Sequence, residues 1–179
     1  MFRKKFVELC REYPQLTSQS VSVDVGATML TRNPHKFDVI VTPGFHGDVL
    51  SGILIGMTDG IGAAPSANIG KKFEYFEPIH GPAWDMAGKG VTNPVASILS
   101  AKLMLEWLGA PGEEWLIEEA VTEVFQEGKV LTADLGGNAS TSKMGDAIVR
   151  KLEELKTERT LITRPAGANV LSNALARAR

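Results

Sequence analysis

The segment PVASILSAKLMLEWL, residues 94–108, is apolar on nearly every side, and it constrains the fold more than any other part of the chain. A helix of this kind has to be covered by other elements all round. Its ends are well marked, because Asn93 is a good N-cap, Pro94 suits the first helical position and Gly109 closes the helix. We therefore predict a central buried helix.

The rest of the pattern predicts more helices than strands. Helical spacing recurs at residues 2–13, 45–58, 113–127 (with Glu113 and Glu114 at its positive end) and from the cap Ser140 to residue 155. The alternating VSVDV predicts a strand at 21–25, and the apolar run FDVIVT predicts a strand at 37–42 buried on both faces. A third strand ends at Pro78, after a Gly-, Ala-, Ser- and Pro-rich loop region at 56–70. The predicted fold class is α/β, helix-rich, with an incomplete sheet.

Composition limits the class of protein. The 179 residues allow one domain with a real core, and the net charge of −2 gives no reason to expect a nucleic acid or a membrane surface as partner. The lone Cys10 excludes an internal disulfide, and no apolar run reaches membrane-spanning length. We therefore predict a cytoplasmic protein. The tail at 156–179 is basic, with five Lys and Arg residues against Glu158.

Two carboxylates, Asp24 and Asp48, lie at predicted strand ends or turns. Magnesium and manganese prefer oxygen ligands, usually carboxylates together with water and substrate. Spacing alone favours a simpler interpretation, in which Asp24 is a solvent-facing strand residue and Asp48 a first-turn acid at a helix dipole. Both interpretations stay open at this point.

The loop EPIHGPAWDMAGKG, residues 77–90, is a second candidate site. It carries acidic, imidazole and amine side chains between glycines that let the backbone approach a ligand closely. An Asp such as Asp85 can accept both hydroxyls of a ribose. The alternative is a structural loop in which His80 bonds to the backbone, and a Rossmann glycine motif is absent from the sequence.

Taken together, several stretches resemble the metal-dependent β-decarboxylating dehydrogenases, which include the isopropylmalate, isocitrate, homoisocitrate and tartrate enzymes. They are VDVGATMLTRNPHKFDVIVT, GDVLS, GAAPSANIG, FEPIHGPAWDMAGKGVTNPVASILSAKLMLEWLG and DLGGNAST, and they occur in family order over residues 2–155. The resemblance implies an isopropylmalate dehydrogenase-like fold with only its C-terminal half present and a partial mixed sheet. Residues 1–58 would be part of the small dimerisation domain, 59–155 part of the large nucleotide-binding domain, and 156–179 a basic tail.

The resemblance also implies site residues. Asp24 and Asp48 match metal-binding aspartates for Mg or Mn, and the counterpart of Asp24 reaches the site of the neighbouring protomer. The pair Asp85-Met86 resembles the version of the adenosine loop that selects NAD over NADP. The residues that match the cofactor-binding loop are Glu77, His80, Gly81, Ala83, Asp85, Met86 and Asn93.

Three positions depart from the family pattern. Gly44 replaces an Asn, Gly52 replaces a third metal aspartate, and Pro82 replaces a Ser. The family's catalytic Tyr and Lys and its substrate-binding arginines lie upstream of the position that matches Met1, so the resemblance assigns no catalytic residue here. His46 is a poor substitute ligand, because imidazole suits softer metals.

Three functions follow from these observations. The first is a half-enzyme for NAD-dependent oxidative decarboxylation of a small 2-hydroxy acid, inactive without a separate N-terminal half. The second is a non-catalytic nucleotide-binding or dimerising regulatory subunit, and the third is a helical interaction protein that uses neither site. The expected partner is a second copy of the chain or the N-terminal half. The sequence of this chain does not identify the side group of the substrate.

Overall fold

Helices dominate the computed structural model, which describes residues 1–58, 60–110 and 114–159. The chain divides into two units, Met1–Asp59 and Gly60–Arg179. The first unit contains α1 (Phe2–Cys10), α2 (Val23–Arg32) and α3 (Gly44–Met57). The second contains β1 (Pro65–Ile69), β2 (Glu74–Pro78), α4 (Val95–Trp107), α5 (Glu114–Glu127) and α6 (Thr141–Arg159). The assignment of these segments to a small and a large domain stays a prediction.

The second unit has an apolar core between α4, α5 and α6. The helical periodicity that predicted α5 and α6 is confirmed, and the Ser140 hydroxyl accepts a hydrogen bond from the N–H of Lys143 at 3.2 Å, as expected of an N-cap. Glu113 lies outside the described residues. The buried members of the core are Val95, Leu99, Ala120, Val121, Val124, Met144, Ala147 and Ile148.

The end predicted for α4 is confirmed, its start lies one residue later than predicted, with Pro94 at the N-cap position, and its uniform burial is wrong. Asn93, which precedes the N-cap, accepts a hydrogen bond through its Oδ1 from the N–H of Val95, the first residue of α4, at 3.0 Å. Only the N-terminal half of α4 is buried, and Met104 and Trp107 are exposed. None of residues 102–107, the C-terminal half of α4, is fully buried, although Lys102 there contacts α5.

The strands β1 and β2 form an antiparallel pair that packs against α4. Pro65 lies opposite Pro78, and Ile69 lies opposite Glu74. The sequence predicted β2, but it placed β1 inside a loop region because that stretch is rich in Gly, Ala, Ser and Pro. Pairing with β2 stabilises β1 despite its weak local signal.

Charged side chains also join the helices of the second unit. Lys102 on α4 lies 3.0 Å from Glu118 on α5, whose side chain is only 6% exposed. Lys151 on α6 lies 3.4 Å from Glu123 and 2.7 Å from Glu127, both on α5, and 3.2 Å from Glu154 on α6. The hydrogen bond from Lys151, followed by the charge of Lys129, holds the pKa of Glu127 below its usual value.

The strand predicted at residues 21–25 is wrong, because α2 begins at Val23. Ser22 is extended (φ −73°, ψ 156°) and precedes the first turn, Asp24 lies in that turn, and Arg32 lies in the last one. These charges complement the helix dipole at both ends. The alternation of valines at 21–25 therefore does not indicate a strand. Leu30 is buried on the inner face of α2.

The strand predicted at 37–42 is also wrong. These residues form no ladder, and Val39 and Val41 are 77% and 60% exposed. The described residues contain only the β1–β2 pair, so they place no strand beside this segment. An apolar run can be buried on both faces only if neighbouring strands and covering layers are present.

The helix predicted at 45–58 is confirmed as α3, although Leu50 is its one buried residue. The helix α6 continues to Arg159, so the start of the predicted basic tail is helical and the remainder lies outside the described residues. None of the helices in the described ranges combines the length and apolar character that a membrane crossing requires.

Candidate functional site

The predicted nucleotide loop connects β2 to α4 and lies open on the surface. It begins at Glu77, which pairs with Ser66 across the two strands and whose Oε1 accepts a hydrogen bond from Asn68 Nδ2 at 3.5 Å. All of residues 81–90 are exposed. The sequence thus forms a continuous, accessible segment between two elements of the second unit.

Local backbone geometry gives this segment its shape. His80 is half-buried, and its Nδ1 lies 3.0 Å from the carbonyl oxygen of Gly81, so a backbone contact orients the ring. Ala83 adopts a left-handed conformation (φ 41°, ψ 60°) immediately before a short 3-10 turn, Trp84–Met86. A non-glycine residue in this region is uncommon and is found where the surroundings or a function require it.

The turn Trp84–Met86 exposes Asp85. Two glycines follow it, Gly88 and Gly90, with φ values of 76° and 62°. A side chain at either position would be strained. The loop therefore presents one exposed carboxylate beside a backbone that a flat ligand can approach.

Asn93, at the end of the loop, uses both atoms of its amide. Its Oδ1 accepts from Val95 as described above, and its Nδ2 donates to Asp134 Oδ2 at 2.9 Å. Asp134 belongs to DLGGN, a stretch that carries the family resemblance, but sequence reasoning assigned it no role. The two residues are 41 positions apart, and no local periodicity reports such a contact.

The start of α6 also contacts the end of the loop. The N–H of Thr141 donates to the carbonyl of Gly90 at 2.8 Å, and its hydroxyl donates to the carbonyl of Thr92 at 2.6 Å. With the contact between the hydroxyls of Thr92 and Thr141 at 3.4 Å, residues 90–93 make four hydrogen bonds to the segment 134–141. The rest of the loop has no comparable contacts to that segment among the described residues.

The first predicted metal ligand, Asp24, lies in the first turn of α2 and is exposed. The Ser22 hydroxyl and the backbone N–H groups of Val25 and of Asp24 itself hold the pKa of this carboxyl below its usual value. The carboxylate is therefore ionised at neutral pH. The structure corrects the expectation that Asp24 is a strand residue.

The second predicted ligand, Asp48, is the fifth residue of α3 and is also exposed. It therefore lies one position beyond the first turn in which the simpler interpretation placed it. Gly52 follows one helical turn later, and a Cβ built there, or at Gly44, would meet no other atom within 4 Å. Larger side chains would fit at both positions, so packing does not explain the two glycines.

The family resemblance implies two bound groups, a nucleotide and a metal ion, and the residues of this chain do not fit both equally well. The loop offers the exposed carboxylate of Asp85, the hydrogen-bonded amide of Asn93 and exposed backbone, and these groups are suited to binding a nucleoside. The carboxylates of Asp24 and Asp48 are the right chemistry for Mg or Mn, but no group of three or more metal-ligating side chains forms within the described residues. A single chain therefore fits the nucleotide better than the metal.

The structure thus keeps the predicted nucleotide residues in one segment and places the predicted metal ligands on two helices of the other unit. Their roles as ligands stay predictions. Asp134 and Thr141, which hold the end of the loop, are the residues that the sequence did not identify.

Comparison with known proteins relates the chain to one family. Residues 1–148 match the family described as isocitrate/isopropylmalate dehydrogenase. The 3-isopropylmalate dehydrogenase of Archaeoglobus fulgidus is 40% identical over 86% of this chain and 47% of its own length. A mitochondrial regulatory subunit of the NAD isocitrate dehydrogenase of Dictyostelium discoideum is 42% identical over 83% of this chain and 44% of its own.

A solved structure gives the same result. The β-decarboxylating dehydrogenase of Thermococcus kodakarensis superposes with a TM-score of 0.80 at 32% identity, covering 92% of this chain and 48% of that one. The likeness confirms the isopropylmalate dehydrogenase-like, helix-rich fold with a partial sheet. The chain spans about half the length of the curated relatives it matches. With a family match over most of its residues and this shared fold, the chain belongs to the isocitrate/isopropylmalate dehydrogenase family.

Proposed function

We propose that this chain is the C-terminal half of an NAD- and Mg- or Mn-dependent β-decarboxylating 2-hydroxy-acid dehydrogenase and that it has no activity alone. The observation that carries the proposal is the open loop at 77–93, anchored by Asn93 to α4 and by Thr141 to α6. An exposed segment held this firmly at its end is suited to binding rather than to packing.

The chemistry of the loop favours NAD. NAD held by this loop would supply the acceptor for the hydride of the substrate. Asp85 would accept hydrogen bonds from the two ribose hydroxyls of the adenosine and repel the 2′-phosphate of NADP. Gly81 and Ala83 would lie along the nucleotide with His80, and Glu77, Met86 and Asn93 would border it.

The first unit supports the proposal that the chain is incomplete on its own. Oxidation of a 2-hydroxy acid requires a base for the hydroxyl proton and a cation beside the forming ketone. Asp24 and Asp48 supply two carboxylates toward such a cation, while Gly44 and Gly52 supply none. The exposed apolar residues at 39–41 are the kind of surface that a second polypeptide covers.

Turnover measurements test this proposal. Isopropylmalate, isocitrate and tartrate are each offered to the chain with NAD and Mn²⁺, first alone and then with a separately produced N-terminal half from a relative. We expect no NADH from the chain alone and turnover of one substrate after reconstitution. Activity of the unmodified chain would contradict the proposal.

Gly52→Asp tests the metal site separately. The new carboxylate would lie on the same helix face as Asp48, one turn away, and the site has room for it. We expect Mn²⁺ affinity, measured by calorimetry, to rise. Gly56→Asp is the matched control, because it adds the same group to α3 in equally open space one turn further from Asp48. Equal gains in both variants would mean that the added charge, and not a metal site, is responsible.

A second candidate function is a non-catalytic subunit that binds a nucleotide and regulates a catalytic partner. It is favoured by Gly44 and Gly52 in place of metal-site residues and by the similarity to a relative described as a regulatory subunit. Calorimetry with NAD and with AMP distinguishes it from the third possibility, an interaction protein without a ligand. Absence of binding at millimolar concentrations would exclude nucleotide sensing.

A further inference from the structure

The end of the nucleotide loop meets two other segments of the second unit at one point. Asn93 from the loop, Asp134 from the segment before α6 and Gly62 from the turn Ile61–Ala63 lie in direct contact. We call these three residues the loop junction. No role has been assigned above to Asp134 or Gly62 in binding.

Within the loop junction the amide of Asn93 has one favourable orientation. Its oxygen faces the N–H of Val95, and its nitrogen faces the carboxylate of Asp134. Rotating the amide by half a turn would direct the oxygen at the carboxylate and the nitrogen at the N–H, so both hydrogen bonds would be replaced by repulsive contacts. Asp134 therefore fixes the side chain that accepts a hydrogen bond from the first N–H of α4.

Gly62 restricts the loop junction from the opposite side. A Cβ at this position would lie 2.7 Å from Asp134 Oδ2 and 3.0 Å from Asn93 Nδ2, so a side chain here would force the carboxylate to shift. The backbone of the turn thus packs directly against the hydrogen-bonded pair. A side chain at Gly62 would therefore press on the carboxylate that holds Asn93.

We propose that Asp134 is a positioning residue of the nucleotide site: it holds Asn93, and through it the end of the loop, in the binding geometry before the nucleotide arrives. The inference rests on the proposed function, since it concerns the same NAD site. Preorganisation of this kind strengthens binding because less conformational freedom is lost when the ligand binds. Asp134 itself need not touch the nucleotide.

Two substitutions separate this role from others. Asp134→Ala removes the acceptor, whereas Asp134→Asn keeps an oxygen that can accept from Asn93 and removes only the charge. Calorimetry of NAD with the full chain should show roughly tenfold weaker binding for Asp134→Ala, because a hydrogen bond to an ionised group is lost. Asp134→Asn should stay close to the unmodified chain.

The matched control is Asp146→Ala, which removes an exposed Asp from α6, in the same unit but away from the loop junction. It should leave NAD affinity unchanged. Gly62→Ala approaches the loop junction from the other side and should weaken NAD binding as Asp134→Ala does, since its methyl group displaces the carboxylate. Thermal unfolding of each variant is recorded alongside.

The outcomes are distinguishable. If NAD binds the unmodified chain and Asp134→Ala equally well, with or without a lower melting temperature, Asp134 is merely structural and the inference is wrong, while the proposed function stands. If Asp134→Asn binds as weakly as Asp134→Ala, charge rather than positioning is responsible, and the inference again fails. If the unmodified chain does not bind NAD, the proposed function and this inference both fall.

A measurement without ligand checks the mechanism. Amide hydrogen exchange over residues 84–95, followed by mass spectrometry, should be faster in Asp134→Ala than in the unmodified chain and unchanged in Asp146→Ala. Equal exchange in all three proteins would overturn the idea that Asp134 orders the end of the loop.

Discussion

The two units of the chain differ in where their apolar side chains lie. In the second unit three helices bury a shared core that includes Val95 and Met144, both 0% exposed. In the described part of the first unit Leu30 and Leu50 are the buried hydrophobic residues, while Val41 and Phe45 are exposed. Burial stabilises a fold roughly in proportion to the apolar area removed from water. The unit with the nucleotide loop therefore has an apolar core of its own, whereas the described part of the unit with the candidate metal carboxylates buries few apolar side chains.

The largest expected effect is in the core of the second unit. Met144→Ala should lower the free energy of unfolding by about 2–5 kcal/mol, because it removes a fully buried side chain and leaves a cavity. Urea denaturation followed by circular dichroism measures this change. Met104→Ala is the matched control on the exposed part of α4 and should cost much less. Similar losses would mean that the second unit is not held by the α4–α6 core.

A smaller effect is expected at the start of α6. Ser140→Ala removes the hydroxyl that accepts from Lys143 and should cost about 1 kcal/mol of stability. Thermal unfolding measures it, with Ser142→Ala, an exposed serine inside the same helix, as the comparison. No difference between the two variants would contradict the role of Ser140 as a cap.

The charged contacts between α5 and α6 should matter less than the core, and their effect depends on pH. The pKa of Glu127 is lower in the folded chain than its ordinary value of 4.5, so its contribution is present above that pH and is lost as the pH falls through the folded pKa. Melting temperatures of Glu127→Gln should therefore fall less steeply on acidification than those of the unmodified chain.

The control for that measurement is Glu74→Gln, which changes an exposed carboxylate on β2 outside the Lys151 contacts. Its melting temperature should follow the unmodified chain across the same pH range. If Glu127→Gln has the acid dependence of the unmodified chain, the ion pair with Lys151 contributes nothing measurable, as is common for exposed pairs.

The smallest effect is expected in the first unit. Val41→Ser should change the unfolding free energy of the chain alone by less than about 0.5 kcal/mol, because the side chain is already exposed. Urea denaturation tests this directly. A loss as large as that of Met144→Ala would show that residues 37–42 are packed, and the contrast between the two units would disappear.

The elements that the sequence predicted correctly have strong local signals. α4 begins at Val95, directly after Asn93-Pro94, and ends before Gly109, while α5 and α6 have helical periodicity, with a cap at Ser140 before α6. These signals act within a few residues, so a single sequence reveals them. The loop at 77–90 is predicted from its unusual residues and the resemblance they carry, and its role as a nucleotide site stays a prediction.

The errors occurred where structure depends on distant parts of the chain. FDVIVT has the composition of a buried strand, but the described residues provide no strand to pair with it. β1 forms because β2 lies beside it, although its own residues resemble a loop. Asp134 reaches Asn93 only once the second unit has folded, and neither periodicity nor spacing encodes that contact.

The two hydrogen bonds from Thr141 to the carbonyl groups of residues 90 and 92 join the end of the loop to the start of α6. α6 has 19 residues and packs against α5, so its two ends are roughly 27 Å apart at 1.5 Å per residue. The end of the loop is therefore joined directly to the helix that forms the core of the second unit with α4 and α5.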